Sequence, residues 1–188
     1  MRVLFINACV RKESRTKDLA DYLLLKLNEP YEEIYLNSIS FPIVDEDFLN
    51  RRDRLIDDRD FSDPVFGLPK QFAEADNIVI AAPFWDLSFP AVLKQYFEQI
   101  NVLGITFYYT PEGIPAGLCK AKCLTYLTTV GGNIFSEEYG AGYIKALAQS
   151  FYGIPEFRLI KATGLDISGA DARSIIDSVK SGLFSFSC

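Results

Sequence analysis

At 188 residues and 21.2 kDa the chain has the length of one ordinary domain, 1–188, with room for a substantial core. A net charge of -6 and a pI near 4.8 argue against nucleic acid or an anionic membrane as the main partner. No apolar run reaches the roughly 18–20 residues of a membrane helix, the apolar start Met1–Ile6 is too short for a secretion signal, and cytoplasm is the expected location.

In chain order, Val3–Ile6 reads as a first strand, followed by a mostly polar stretch, Asn7–Thr16. Leu19, Ala20, Leu23, Leu24 and Leu27 then fall on one helical stripe. Glu32–Leu36 alternates as a second strand, and the charged Phe41–Gly67 segment reads as part helix, part excursion. A helix is expected over Leu68–Ala75, a third strand over Asn77–Ala82 and a helix over Ala91–Leu103. Thr106–Thr110 runs into a Pro/Gly-rich turn ending at Gly117, the pattern of a hairpin-like insertion. Lys122–Thr129 is the fourth strand, Tyr143–Tyr152 a helix, Phe157–Ala162 the fifth strand and Ala170–Lys180 the closing helix. Strands alternating with helices predict an α/β three-layer sandwich with a parallel sheet, and five strands at this length predict a flavodoxin-like layout. The predicted core includes Val3, Phe5, Leu23, Ile78, Ile80, Leu93, Leu124 and Leu159.

Three strand ends carry unusual sequence, and in a parallel sheet they share one edge, where doubly wound folds bind ligands. The first, Arg11-Lys12-Glu13-Ser14-Arg15-Thr16, places hydroxyls and arginines at a helix start. Ser14 or Thr16 can cap free amides or bind a phosphate there. The second, Pro83-Phe84-Trp85-Asp86-Leu87, puts flat side chains where a planar heterocycle would fit, although such aromatics also serve as core or interface. The third, Thr129-Val130-Gly131-Gly132, permits positive φ and a close backbone approach, or is an ordinary turn. The chain has no histidine, which removes Ser/His and Cys/His nucleophile systems and any histidine relay. Cys119 and Cys123 stand four apart with no second pair, a poor zinc pattern, so Cys9, Cys119, Cys123 and Cys188 are expected as reduced thiols.

The segment Pro83–Phe97, with its Pro-Ala-x-Leu-Lys-x-Tyr-Phe run, resembles the flavodoxin-like NAD(P)H:quinone oxidoreductase and FMN-dependent azoreductase family, as do Gly104-Ile105-Thr106-Phe107 and Thr129-Val130-Gly131-Gly132. The resemblance spans nearly the whole chain. It implies FMN in preference to FAD, NADH or NADPH as electron donor, and a small planar acceptor such as a quinone or azo compound, reduced by a ping-pong mechanism. Arg11, Ser14, Arg15 and Thr16 would line the phosphate site, and the backbone of Pro83, Phe84, Trp85, Asp86 and Leu87 would hold the ring and ribityl chain. Thr129, Val130, Gly131 and Gly132 would meet the pyrimidine edge, with the amides of the last three stabilising negative charge there. Trp85, Phe107 and Tyr109 would frame the acceptor pocket at the interface of a homodimer. Some family members relay protons through a Tyr/His pair; this chain, lacking histidine, would draw protons from water or from Tyr126 or Tyr139.

Two alternatives compete. Cys9-x5-Arg15-Thr16 fits the Cys-x5-Arg-[Ser/Thr] signature of low-molecular-weight tyrosine phosphatases, in which a thiolate of lowered pKa attacks phosphorus. The loop lacks the glycine such a cradle needs, and no Asp-Pro general acid lies near the C-terminus. The second is a non-catalytic flavodoxin-like binding or electron-carrier module.

Overall fold

The computed structural model describes residues 2–133 and 135–183; Cys188, expected as a thiol, lies outside them. Buried apolar runs form the central strands. Val3–Asn7 (β1), Asn77–Ala81 (β3) and Cys123–Thr129 (β6) are inside almost throughout, as strands covered on both faces must be. Tyr31–Tyr35 (β2) and Glu156–Ala162 (β7) are the edges, and all five strands pair in parallel in the order β2-β1-β3-β6-β7. That is the five-stranded parallel, flavodoxin-like layout expected from the sequence, and its order reverses between β1 and β3.

The helices divide between the two faces. Arg15–Leu27 (α1) and Ala172–Gly182 (α6) bury Leu19, Leu23 and Ile176 against Val3, Phe5, Val79 and Leu127. On the other face Gly67–Ala73 (α3), Ala91–Ile100 (α4) and Ala141–Ala146 (α5) pack Phe72, Leu93, Tyr96, Phe97 and Ile144 onto Leu4, Ile6, Ile78, Ile80 and Tyr126. The sheet's alternation thus feeds two separate apolar layers, the three-layer arrangement expected.

The segment 41–67 is part helix, as expected. Glu46–Asp57 (α2) is capped by Asp45, whose carboxylate accepts from Phe48 N at 2.9 Å, and none of its residues is fully buried.

Several boundaries differ from the sequence reading. α4 stops at Ile100, three residues short of Leu103, because the Thr106 hydroxyl takes the Ile100 carbonyl at 2.8 Å. The expected helix Tyr143–Tyr152 is α5 continued as a π turn, Leu147–Phe151. Phe107–Tyr109 (β4) and Pro115–Gly117 (β5) form the expected antiparallel hairpin. Gly117 lies so close to the Tyr152–Gly153 peptide that a Cβ would overlap it, so the hairpin is pressed flush onto the end of the π turn. Leu159 is half-buried rather than core, because β7 is an edge with strand neighbours on one side only.

Candidate functional site

The register brings the three strand ends together, with Asn7 opposite Ala81 and Ala81 opposite Leu127. The pairing continues past the strands: Ala8 N donates to Ala81 O, Ala82 N to Leu127 O and Phe84 N to Thr129 O. A cleft of about 270 Å³ opens over this edge, lined by Val10, Arg11, Glu13, Ser14, Arg15, Thr16, Pro83, Phe84, Trp85, Thr129, Gly131, Leu165 and Asp166. Of the thirteen residues proposed from sequence to hold a cofactor, Asp86, Leu87, Val130 and Gly132 do not line it.

The loop after β1 is anchored at its root. Asn7 Nδ2 donates to Glu33 Oε1 at 2.8 Å, and its Oδ1 accepts from Cys9 N at 3.0 Å. Beyond Cys9, seven consecutive backbone amides, Val10 through Thr16, have no intramolecular partner among the described residues. The run ends at the first turn of α1, where the aligned peptide dipoles add positive potential. Ser14 is the N-cap, its Oγ accepting from Lys17 N at 3.3 Å. Unpaired amides in succession, leading into a helix start, are donors of the kind that can hold an anion. Thr16 is buried and shares a 2.6 Å hydrogen bond between hydroxyls with Thr129, tying the helix start to the end of β6.

Opposite lies the aromatic loop. Trp85 and Ser88 exchange backbone hydrogen bonds at 3.2 and 2.8 Å around Asp86 and Leu87, whose φ angles are 50° and 67°. Left-handed backbone at both central positions is a tight hairpin turn that normally recruits Asn or Gly. A leucine held there costs on the order of 1–2 kcal/mol, and such strain clusters at functional sites. Among the described residues the amides of Asp86 and Leu87 are unpartnered, whereas those of Phe84 and Trp85 are already committed. Phe84 also packs on Phe135, ring centroids 4.9 Å apart.

The Thr129–Gly132 turn departs from the sequence reading. Gly131 does not adopt positive φ; its missing Cβ makes room for the Asp166 carboxylate. Val130 N donates to Ala162 O and so is unavailable to a ligand, while Gly131 N and Gly132 N have no backbone partner among the described residues. The carbonyls of Val130, Gly131 and Gly132 accept from Leu165, Asp166 and Gly164 at 3.2, 2.8 and 2.9 Å. The segment after β7 is therefore part of the site, and Asp166 and Leu165 were missed from sequence. The signal was present: a glycine and an acid directly follow a fourth strand end on the same edge.

Other expected participants lie elsewhere. Tyr126 is fully buried in the core, its hydroxyl donating to Ala82 O at 3.4 Å, and burial pushes its pKa up to about 12, so it cannot supply protons to a cleft ligand. Tyr139 is exposed outside the cleft, its carbonyl accepting from Ser88 Oγ at 3.0 Å. Phe107 and Tyr109 sit on the hairpin, Phe107 packed on Phe151 at 4.9 Å, and neither lines the cleft of a single chain.

The phosphatase reading is overturned at Cys9. Its thiol is buried, donates to Ala81 O at 3.7 Å, and is pushed up to about 11 by desolvation, the opposite of what a nucleophile requires.

Comparison with known proteins agrees with the architecture. The family model described as a flavodoxin-like fold matches residues 1–180. The chain is 33% identical over 187 residues to "FMN-dependent NADH:quinone oxidoreductase 2" of Clostridium perfringens, covering 94% of this chain and 92% of that protein. It is 38% identical over 190 residues to a protein of the same name from Clostridium acetobutylicum, covering 93% and 92%. The crystal structure of azoreductase from Bacillus anthracis superimposes with a TM-score of 0.83 at 26% identity, over 98% of this chain and 99% of that one. With this fold, this strand order and these relatives, the chain belongs to the flavodoxin-like family of quinone oxidoreductases and azoreductases.

Proposed function

We propose that the protein is an FMN-dependent oxidoreductase that moves two electrons from NADH or NADPH to a quinone, an azo compound or a similar planar acceptor, the two substrates using the cleft in turn. The observation that carries this reading is the run of seven unpartnered amides ending at a helix N-terminus beside an aromatic wall. One half offers donors to a phosphate and the other a flat surface to a ring, the two halves of a flavin mononucleotide. The relatives' names supply the chemistry to which that geometry is matched.

In this reading the amides of Val10–Thr16, the Ser14 hydroxyl and Arg11 hold the phosphate. Phe84 and Trp85 flank the ring, and the amide of Gly131 faces its pyrimidine edge. When bound, the flavin supplies the two-electron chemistry; the protein fixes its exposed face and polarises it. With Tyr126 buried, no histidine in the chain and Tyr139 outside the cleft, protons reach the acceptor from water.

We further propose a homodimer. Tyr108, Tyr109, Ile114 and Leu118 on and beside the β4–β5 hairpin are exposed, a cluster of apolar surface that a second copy would cover while walling the acceptor pocket with Phe107 and Tyr109.

The decisive test is an absorbance titration with FMN followed by NADH oxidation with a quinone acceptor. A flavin spectrum perturbed on binding and acceptor-dependent NADH consumption are expected. A protein that leaves the FMN spectrum unchanged and consumes no NADH removes the proposal. Light scattering giving a monomer at micromolar concentration removes the dimer.

A further inference from the structure

The charged side chains lining the cleft are Arg11, Arg15, Glu13 and Asp166, two of each sign, so they cancel. The positive character of the cleft therefore comes from its backbone. One of these charges is set in place with particular care. Asp166 is delivered by the backbone bonds that dock the 164–166 segment on the β6 turn, and its Oδ2 fills the space of the absent Gly131 Cβ. Its Oδ1 accepts from Arg15 Nη1 at 2.7 Å, joining residues 151 apart in sequence. The chain thus carries its own anion on the rim of this cleft, engaged with an arginine that an incoming phosphate would otherwise take.

We propose that Asp166 is a specificity-determining residue that competes with the ligand's phosphate for Arg15, lowering the share of binding that a phosphate group alone contributes. This rests on the reading of the cleft as a flavin site. A bare anion or an unrelated phosphate monoester meets a cleft whose side chains are neutral overall and whose Arg15 is already engaged. A ligand that also places a flat ring against Phe84 and Trp85 gains enough to remain. Selectivity comes from weakening the group shared by all competitors, a general route to discrimination.

The pair is solvent-exposed on both sides, at 48% and 66%, so the effect is modest. Asp166→Asn keeps the side-chain shape and the Asp166 N to Gly131 O bond while removing the charge. It should tighten FMN roughly 3- to 30-fold, the scale of one unit charge a few ångströms away near a protein surface. Riboflavin, which lacks the phosphate, should gain clearly less than FMN, since the charge beside Gly131 is removed for both ligands but only FMN takes up the freed Arg15. The gain should shrink at high salt, and inorganic phosphate should compete with FMN more strongly against the variant. In an Arg15→Ala background Asp166→Asn should change FMN affinity by less than about twofold, because the competition has lost its object.

The proposal is overturned if Asp166→Asn leaves FMN binding unchanged or weakens it, if riboflavin gains equally, or if the gain survives without Arg15. If the wild-type protein binds neither flavin, it is the flavin reading that fails. Asp166 is then judged by thermal stabilisation with inorganic phosphate: a larger shift in Asp166→Asn than in wild type upholds the competition, and an equal or smaller one ends it.

Discussion

The loop after β1 and the turn after β6 leave neighbouring points on one sheet edge and treat their backbone in opposite ways. From Val10 to Thr16 the first leaves seven donors unpaired. From Val130 to Gly132 the second has every carbonyl bonded to the 164–166 segment. Donors held open in this way lose precision unless something rigid positions them, and the bonded turn provides it, joined to the open loop by the Thr16–Thr129 and Arg15–Asp166 contacts. The open run of donors and its support are thus separate pieces of chain.

That division can be tested, beginning with what the two regions share, a dry base. Cys9 lies at the root of the open loop and Tyr126 in the strand feeding the bonded turn. Burial raises Cys9 from 9.0 to about 11 and Tyr126 from 10.0 to about 12. Each native group keeps its proton where the unfolded chain has lost it. Their contribution is therefore intact below about 9 and is lost as pH rises through 11 and 12. Denaturant titrations should show stability falling across that window, the largest effect expected; a flat profile would mean these groups are wetter than their burial indicates.

Next in size is Gly131→Val on the supporting turn. It must displace the Asp166 side chain, for roughly 2 kcal/mol by the usual cost of overpacking. At roughly 2–4 °C per kcal/mol for a chain of this length, melting should drop by several degrees, and an unchanged melting temperature would show the turn to be adaptable. Thr16→Val removes the 2.6 Å bridge and leaves the Thr129 hydroxyl unsatisfied, a loss of about 1–2 kcal/mol. Hydrogen exchange should then quicken in both loops together; quickening confined to one would deny that they are coupled.

Ser14→Ala, on the open loop, should cost about 1 kcal/mol as a lost cap, with FMN affinity falling more than riboflavin affinity. Equal losses would place Ser14 outside the phosphate's reach. Smallest of all, Leu87→Gly relieves the φ of 67° at an entropic cost, for a net stabilisation below about 1 kcal/mol. A measured destabilisation would mean that the Leu87 side chain contributes more than its backbone costs.

Much of this was legible in the chain. The apolar runs at Ile78 and Leu124 placed the central strands, and Ser14 before a periodic leucine stripe placed the helix start, because those signals are local. The role of Gly131 was not, because its reason lies 35 residues away in Asp166 and only folding brings them together. The same holds for the π turn in place of a longer α-helix, and for Leu159, whose exposure follows from its strand's place at the sheet edge. The left-handed backbone of Asp86 and Leu87 escaped notice because, without glycine, it has no compositional mark.

The order of the sheet has a consequence for crowded solutions. Its two outer strands, β2 and β7, present unpaired ladder groups along their free sides, an invitation to strand addition and fibril growth. β2 carries Glu32 and Glu33 in succession, and β7 carries Glu156, Arg158 and Lys161. A strand added to either side would have to strip water from those charges, so uncontrolled stacking is disfavoured at both margins. Any ordered self-assembly is thereby steered to other faces of the molecule.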